Sequence, residues 1–229
     1  MPAALVLLIV LVTILVVAAI VPWVLIARWK KRRRVEVADY ARRREWEYRA
    51  SDPTLLDRFH GPPFTYGHGN KAENVLLGQY GGRPFVAFDL QVDTTTSIAG
   101  HGAGAIVWYS VAALNLGTTV PDLSVGPKGV LGRLLAGISD RDVPIGNAEL
   151  DEGFSVRSPS PAFARAVLNR DVVALVLAHC DNGWRLDGDS ILMLSPRVLR
   201  RPPEEIEERL ALMDQILGLV PPGAWRTTG

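Results

Sequence analysis

The chain has 229 residues, of which 48% are hydrophobic and 21% charged, and its formal net charge is +1. That length is ample for one domain with its own core beside a membrane segment. A single cysteine, Cys180, excludes an internal disulfide and agrees with a reducing compartment.

The first 27 residues carry no charge, and 14 of the 18 residues from Ala4 to Val21 are Leu, Ile or Val. A run of that length can cross a bilayer as a helix. Its start is uncharged and no small-residue cleavage site follows it, which favours a permanent transmembrane anchor over residues 1–27. The alternative is a secreted domain with an unusual signal. Pro22 predicts a kink or a helix end near one interface.

A basic cluster follows the apolar run, with six Lys or Arg among the seven residues from Arg28 to Arg34. The positive-inside bias places the C-terminal side in the cytoplasm and the short N-terminus outside a bacterial plasma membrane. An anionic inner leaflet would attract these cations generally, and specific recognition of a lipid headgroup is the alternative. The residues expected at the membrane interface are Trp23, Arg28, Trp29, Lys30, Lys31, Arg32, Arg33 and Arg34.

Charge is unevenly divided along the chain. Residues 28–49 hold ten positive and four negative side chains, a net of +6, and residues 1–27 are neutral. Because the whole chain is +1, residues 50–229 carry −5, and this acidic part argues against nucleic acid as a partner. We therefore expect an anchor at 1–27, a basic juxtamembrane stalk at 28–49 and a cytoplasmic domain at 50–229.

Alternating apolar residues predict several short strands. They are expected at 46–50, 75–80, 84–92, 105–116, 123–125, 154–157, 184–186 and 190–194. Gly81-Gly82 and Asp187-Gly188-Asp189 favour tight hairpins, since glycine readily adopts positive φ. The apolar residues of 84–92 alternate and should share one face of the sheet.

Helix signals are concentrated toward the C-terminus. Helices are expected at 52–59, 130–136, 161–167, 171–179, where a strand is the alternative, and 202–218. The last is the clearest, because Ile206, Leu210, Met213 and Leu217 form one stripe. Sequential strands followed by helices predict an α+β domain, an antiparallel sheet with C-terminal helices packed on it.

Six segments carry aromatic, glycine and apolar motifs: Trp46 to Tyr48, Asp57 to Phe64, Asn74 to Gly78, Gly82 to Asp89, Phe154 to Arg157 and Trp184 to Gly188. These motifs resemble a family of actinobacterial single-pass membrane proteins with a cytoplasmic domain of unknown function. The resemblance covers nearly the whole part after the span. It implies a topology and a membrane setting, and it supplies no catalytic residue.

The sequence lacks the specific motifs of catalysis, namely G-x-S-x-G, the P-loop, H-E-x-x-H and paired cysteines. Residues 94–104 are rich in Thr and Gly and should form a mobile loop between two strands. Asp89, His101 and His68 are the candidates for a pocket near that loop, although their spacing does not place them together. We expect no catalytic residue, metal or cofactor.

The leading hypothesis is an interaction or scaffold domain held at the inner face of the membrane, as an accessory subunit of a membrane protein complex. Its expected partners are the bilayer, with its anionic inner leaflet, and another membrane or membrane-associated protein. An enzyme or small-molecule sensor with a site near residues 94–104 is one alternative. A module that responds to anionic lipid is the other.

Overall fold

A computed structural model describes residues 2–65, 69–93, 106–129, 142–180, 183–196 and 202–226. The helices are α1 Pro2–Arg43, α2 Leu55–Arg58, α3 Ala148–Gly153, α4 Pro161–Val167, α5 Arg170–His179 and α6 Glu205–Leu219. The strands are β1 Glu47–Ser51, β2 Lys71–Tyr80, β3 Arg83–Asp93, β4 Ile106–Asn115, β5 Leu123–Pro127, β6 Phe154–Arg157, β7 Trp184–Asp187 and β8 Ser190–Pro196. The loop expected at 94–104 and the helix expected at 130–136 lie outside the described residues.

All eight strands belong to one antiparallel sheet, in the order β1-β2-β3-β4-β8-β7-β5-β6. Gly81 and Gly82 join β2 to β3 with φ of 57° and 76°, and Gly188 turns β7 into β8 with φ of 60°. Side chains with a Cβ rarely adopt these angles, so glycine fixes both hairpins. The predicted α+β class with an antiparallel sheet is confirmed.

Both faces of the sheet are covered. On one face, Leu114 of β4 and Trp184 of β7 belong to a buried cluster with Phe163 and Leu210 from the helices. The opposite face carries the alternating apolar residues of β3, as predicted, and residues 55–64 cover it. There Phe59 stacks on Phe88 with ring centroids 6.2 Å apart.

Side-chain caps decide where two of the helices begin. The Ser160 hydroxyl accepts a hydrogen bond from the Phe163 amide, and Pro161 follows it, which confirms the predicted start of α4. Asn169 accepts from the amides of Asp171 and Val172. This cap marks the start of helix α5, so the segment for which helix or strand was expected is a helix.

Helix α6 buries the predicted stripe, since Ile206, Leu210, Met213 and Leu217 are each at most 6% exposed. It begins at Glu205 rather than at residue 202. Pro203 disfavours the α conformation for the residue before it, so Pro202 stays outside the helix.

Helix α1 runs without interruption from Pro2 to Arg43, and Pro22 does not end it. In its second half, Arg33, Val37, Tyr40 and Ala41 are at most 3% exposed, because this side lies against β1 and β2. The segment expected as a stalk is therefore packed on the sheet along one face. The division of the chain at residues 27 and 49 stays a prediction.

The first half of α1 carries its apolar side chains on the surface. Large apolar residues between Val6 and Val21 are 46% to 72% exposed. Within the described residues, no helix combines the length and the apolarity that a bilayer crossing requires. The expected transmembrane anchor, and the single-pass topology that depends on it, are therefore not supported by the structure.

Candidate functional site

A cluster of buried polar side chains lies on the helix-covered face of the sheet, between α1 and α6. We call it the Asp89 cluster: Arg33, Asn74, Asp89 and Ser110 are buried, and the partly buried Arg209 completes it. Asp89 of β3 pairs across the sheet with Ser110 of β4, and the two residues are 3% and 2% exposed. Buried charges require partners, so each contact in this cluster bears on how the helices are held.

Arg33 of α1 provides the counter-charge of Asp89. Its Nε donates to Asp89 Oδ2 at 3.2 Å and its Nη2 to Oδ1 at 3.4 Å. Both side chains are only 4% exposed. This two-point contact attaches α1 to the centre of the sheet, one turn before Val37 joins the apolar core.

Asn74 reaches the same carboxylate because of a bulge in β2. Its φ is 53°, and the pairing register between β2 and β3 shifts between Glu73 and Leu76. Asparagine tolerates this backbone better than most residues do. The side-chain amide donates to Asp89 Oδ2 at 2.8 Å and accepts from the Tyr48 hydroxyl at 3.2 Å.

Arg209 brings the last helix, α6, to the same place. Its Nη2 donates to Ser110 Oγ at 2.7 Å and its Nη1 to the Ser110 carbonyl oxygen at 2.9 Å. Burial raises the pKa of the Asp89 carboxyl above its usual range, and the positive charges of Arg33 and Arg209 oppose that rise. The cluster thus attaches α1 to the sheet through the Asp89 carboxylate and α6 to the sheet through Ser110.

The cluster has a structural role: it is a joint, by which we mean the polar contact that attaches α1 to the sheet. Both oxygens of Asp89 accept from protein donors, and the side chain is almost fully enclosed, so it lacks the access that a substrate needs. Among the described residues, no group of three His, Cys, Asp or Glu side chains could hold a metal ion. Breaking this joint would remove the buried charge pair that attaches α1 to the sheet and leave the contacts of Val37, Ala41 and Lys30.

A second set of contacts lies one turn nearer the N-terminus of α1. Lys30 Nζ is 3.2 Å from Glu73 Oε2 and donates to Gln91 Oε1 at 3.2 Å. The same ammonium lies 4.7 Å from the centroid of the Trp108 ring, which meets Trp29 edge-on at 5.8 Å. Basic and aromatic groups of α1 therefore contact the end of the sheet where β3 ends and β4 begins.

The residues expected at the membrane interface fall into two groups. Arg28, Lys31, Arg32 and Arg34 are exposed. Arg33 is buried in the Asp89 cluster, while Lys30 and Trp29 are partly buried against the sheet, and the membrane-interface role of these residues stays a prediction. The Trp23 side chain lies outside the described residues.

The expected pocket is only partly described. Asp89 lies beneath α1 with Arg33 and Asn74 as partners, whereas His68 and His101 lie outside the described residues. A pocket that includes either histidine stays a prediction. Asp89 is 3% exposed beneath α1.

A second buried charge pair lies on the opposite face of the sheet. Arg185 is 0% exposed, and it donates to Asp187 Oδ2 at 3.2 Å and to the Pro62 carbonyl oxygen at 2.7 Å. Asp187 also contacts the exposed imidazole of His60 through Nδ1 at 3.0 Å. These bonds fix residues 60–62 over the sheet.

Tyr40 closes the contact between α1 and α6 at the far end of α1. Its ring is 3% exposed and meets Trp46 edge-on at 5.7 Å. Nearby, Arg44 Nη2 donates to Glu207 Oε2 at 2.7 Å. Burial, followed by the Glu207 carboxylate, raises the pKa of Tyr40 to about 12. The buried hydroxyl has no hydrogen-bond partner among the described residues.

Tyr40→Phe should therefore leave the free energy of unfolding at neutral pH unchanged, or raise it by up to about 1 kcal/mol. In the parent, stability should fall as the pH rises from 10 to about 12, because the unfolded tyrosine ionises first and the folded one stays neutral. The variant should lack that part of the loss. Urea unfolding at pH 8, 10 and 12 measures both. A loss above about 1 kcal/mol at pH 8 would show that the hydroxyl makes a needed hydrogen bond.

One signal for this site is present in the sequence. Trp29, Arg33, Val37 and Tyr40 are spaced as one side of a helix, so the basic segment contains a docking stripe. The stripe is inconspicuous because Arg33 stands among other cations. Neither the pairing of Arg33 with Asp89 nor the bulge at Asn74 can be deduced from spacing, because both depend on strand register.

The sequence matches no protein-family model, and no curated protein matches it. Among solved structures, the fold is similar to that of the mycobacterial trehalose monomycolate transport factor A, TtfA. The TM-score is 0.60, the identity is 16%, and the match covers 82% of this chain and 96% of that chain. At this identity the likeness is one of fold. The mycobacterial source agrees with the actinobacterial resemblance of the sequence motifs, while membership of one particular family stays a prediction.

Proposed function

We propose that this protein is a non-enzymatic accessory subunit of a membrane assembly that transports envelope glycolipid. The single observation that carries the proposal is the fold shared with a trehalose monomycolate transport factor, which extends over 96% of that chain. The α+β domain would dock on a transporter, and the first half of α1 would keep it at the bilayer. Its role would be to hold or position the transporter rather than to perform chemistry.

The exposed apolar half of α1 supports the membrane setting. Side chains such as Leu7, at 72% exposed, and Leu15, at 61%, would face water in a free monomer. Continuous apolar surface of this kind normally contacts lipid or another protein. A bilayer satisfies the whole circumference of the helix, whereas a protein groove would cover one side, so lipid is the preferred environment.

The exposed cations support the orientation. Arg28, Lys31, Arg32 and Arg34 follow the apolar half directly and are exposed. In a bacterial plasma membrane they would favour the cytoplasmic side, with the N-terminus outside. They would also bind the anionic leaflet, at about 1 kcal/mol for each side chain near the surface.

The transport proposal is tested in an actinobacterial host by deleting the gene and measuring the distribution of mycolate glycolipids. We expect the monomycolate to accumulate unexported, and the full chain to restore export. The tagged full chain, purified in mild detergent, should carry a polytopic lipid transporter. An unchanged glycolipid distribution, or a monomeric particle in several detergents, would refute the accessory role.

The orientation is tested with the four exposed cations alone. Changing Arg28, Lys31, Arg32 and Arg34 together to Gln lowers the charge asymmetry across the membrane and leaves the charges that bind the sheet in place. Because that asymmetry sets the orientation, the four-Gln variant should insert in both directions.

The side of the membrane is reported by Thr118→Cys in a Cys180→Ala background, labelled with an impermeant thiol reagent. Thr118 is exposed and follows β4. Cys180 itself is a poor reporter, because it is buried at 4% exposure and burial protects it on either side of the membrane. In intact cells the parent with this reporter should resist the reagent, and the four-Gln variant should react in part. Full labelling of the parent at position 118 in intact cells would reverse the proposed topology.

A further inference from the structure

One end of the sheet carries aromatic and apolar side chains beside the basic segment of α1. Ile106, the first residue of β4, is 54% exposed, and Trp108 two residues later meets Trp29 of α1 edge-on at 5.8 Å. Ile106 and Trp108 lie on the same face of β4, the face that α1 covers. In the described part of the domain from β1 onward, Ile106 is the most exposed large apolar residue.

The contacts of α1 show which of its residues lie beside this end of the sheet. Arg33 contacts Asp89, Lys30 contacts Gln91, and Trp29 contacts Trp108, which faces Gln91 in the register. Moving toward the N-terminus of α1 therefore moves toward the β3–β4 end of the sheet. Four residues of helix rise about 6 Å and two residues of strand about 6.6 Å, so Ile106 lies level with Leu25 and Ile26.

From this level we infer a second membrane contact, a lipid-contacting rim made of Trp29, Ile106 and Trp108. The inference rests on the proposed function, since it requires the apolar half of α1 in the bilayer. If the headgroups begin where Arg28 ends the uncharged run, Ile106 reaches the boundary between headgroups and acyl chains. Tryptophan side chains prefer that layer.

Charge on the rim agrees with shallow contact. Lys30 lies over the Trp108 ring at 4.7 Å, so a cation accompanies the aromatic pair at headgroup level. Asp93 pairs with Ile106 in the register, and a carboxylate there opposes deeper insertion. The rim would therefore rest in the interface of an anionic leaflet and would not enter the acyl core.

The test uses the full chain in liposomes of phosphatidylcholine and phosphatidylglycerol, with Cys180→Ala as background. An environment-sensitive fluorophore is placed on Ile106→Cys, on Ile14→Cys in the apolar half of α1, and on Gln79→Cys. Gln79 is exposed near the β2–β3 hairpin, at the opposite end of the sheet, and is the matched control. Quenching by lipids that carry bromine at shallow or deep acyl positions measures depth.

We expect the label at 106 to lose fluorescence with shallow-brominated lipid, the label at 14 to lose it with deep-brominated lipid, and the label at 79 to be unchanged. Quenching at 14 with none at 106 would overturn the rim and leave the proposed anchor intact. No quenching at 14 would overturn the anchor, and the rim with it. Because Ile106 is exposed, its replacement should not disturb the core, and an unchanged unfolding midpoint checks this.

Discussion

Replacing Asp89 or Arg33 singly should be among the most damaging changes in the chain. Asp89→Ala leaves the Arg33 guanidinium buried without its counter-charge. Arg33→Met likewise leaves the Asp89 carboxylate buried without its counter-charge. Removing one partner of a buried pair typically costs about 3–5 kcal/mol. Urea unfolding of the full chain in detergent micelles, followed by tryptophan fluorescence, measures the loss.

The pH dependence identifies the charge as the cause. Burial already raises the pKa of Asp89, and without Arg33 it should rise further. A protonated Asp89 needs no counter-charge, so the stability deficit of Arg33→Met should be smallest at low pH. It should grow as the pH rises from the folded-state pKa of Asp89 in the parent to the higher one in the variant, and stay constant above it. Lys31→Ala, an exposed cation on the same helix, is the matched control and should change stability by less than about 0.5 kcal/mol.

The double variant Arg33→Met with Asp89→Leu should recover part of the loss, since it buries no unpaired charge. If each single variant unfolds like the parent, α1 does not depend on this joint. A chain shortened to begin at Val35 would lose Arg33 and expose the same weakness. A soluble form should therefore keep residues from Trp29 onward.

Leu210→Ala should lower the free energy of unfolding by about 2–5 kcal/mol, the range for truncating a buried leucine. Leu210 is 0% exposed and belongs to the apolar cluster that joins α6 to the sheet. The neighbouring Arg209 holds Ser110, so loss of packing here should also loosen that contact. The same urea titration reports the change, which would be a large share of a typical total stability of about 5–15 kcal/mol.

The matched control on α6 is Glu208→Ala, because Glu208 is exposed. It should change stability by less than about 0.5 kcal/mol. Glu207 is unsuitable, since it accepts from Arg44, the residue after α1, at 2.7 Å. An unfolding curve for Leu210→Ala that coincides with the parent would show that α6 packs only peripherally.

The hairpins and the last helix could be predicted from sequence because their causes are local. Glycines at positive φ mark the turns after Tyr80 and Asp187, and apolar spacing marks the buried side of α6. The Asp89 cluster could not, because its members lie far apart along the chain. Asn74 is 15 residues from Asp89 and Arg33 is 56 residues from it. Only strand pairing and the bulge at Asn74 bring them together.

The basic segment shows how one pattern can have two causes. Its cations predict a membrane flank, and four of the six are exposed as that role requires. The other two, Lys30 and Arg33, bind Glu73 and Asp89 of the sheet. Composition does not distinguish the six cations. Their positions around the helix do, because Arg33 lies on the same side of α1 as the buried Val37 and Tyr40.

Because α1 is unbroken, the domain has a fixed rotation about the helix axis relative to the apolar half of α1. Each residue of a helix is rotated by about 100° about the helix axis relative to the one before it. The orientation of the apolar half is therefore fixed by the side of α1 on which Arg33 and Val37 contact the sheet. One residue inserted near Ala27 would swing the whole domain by about 100° around the helix, whereas seven would nearly restore its heading. A partner that contacts both the apolar half and the sheet must fit this one rotational orientation. Rotation of α1 about its axis would rotate the whole domain by the same angle.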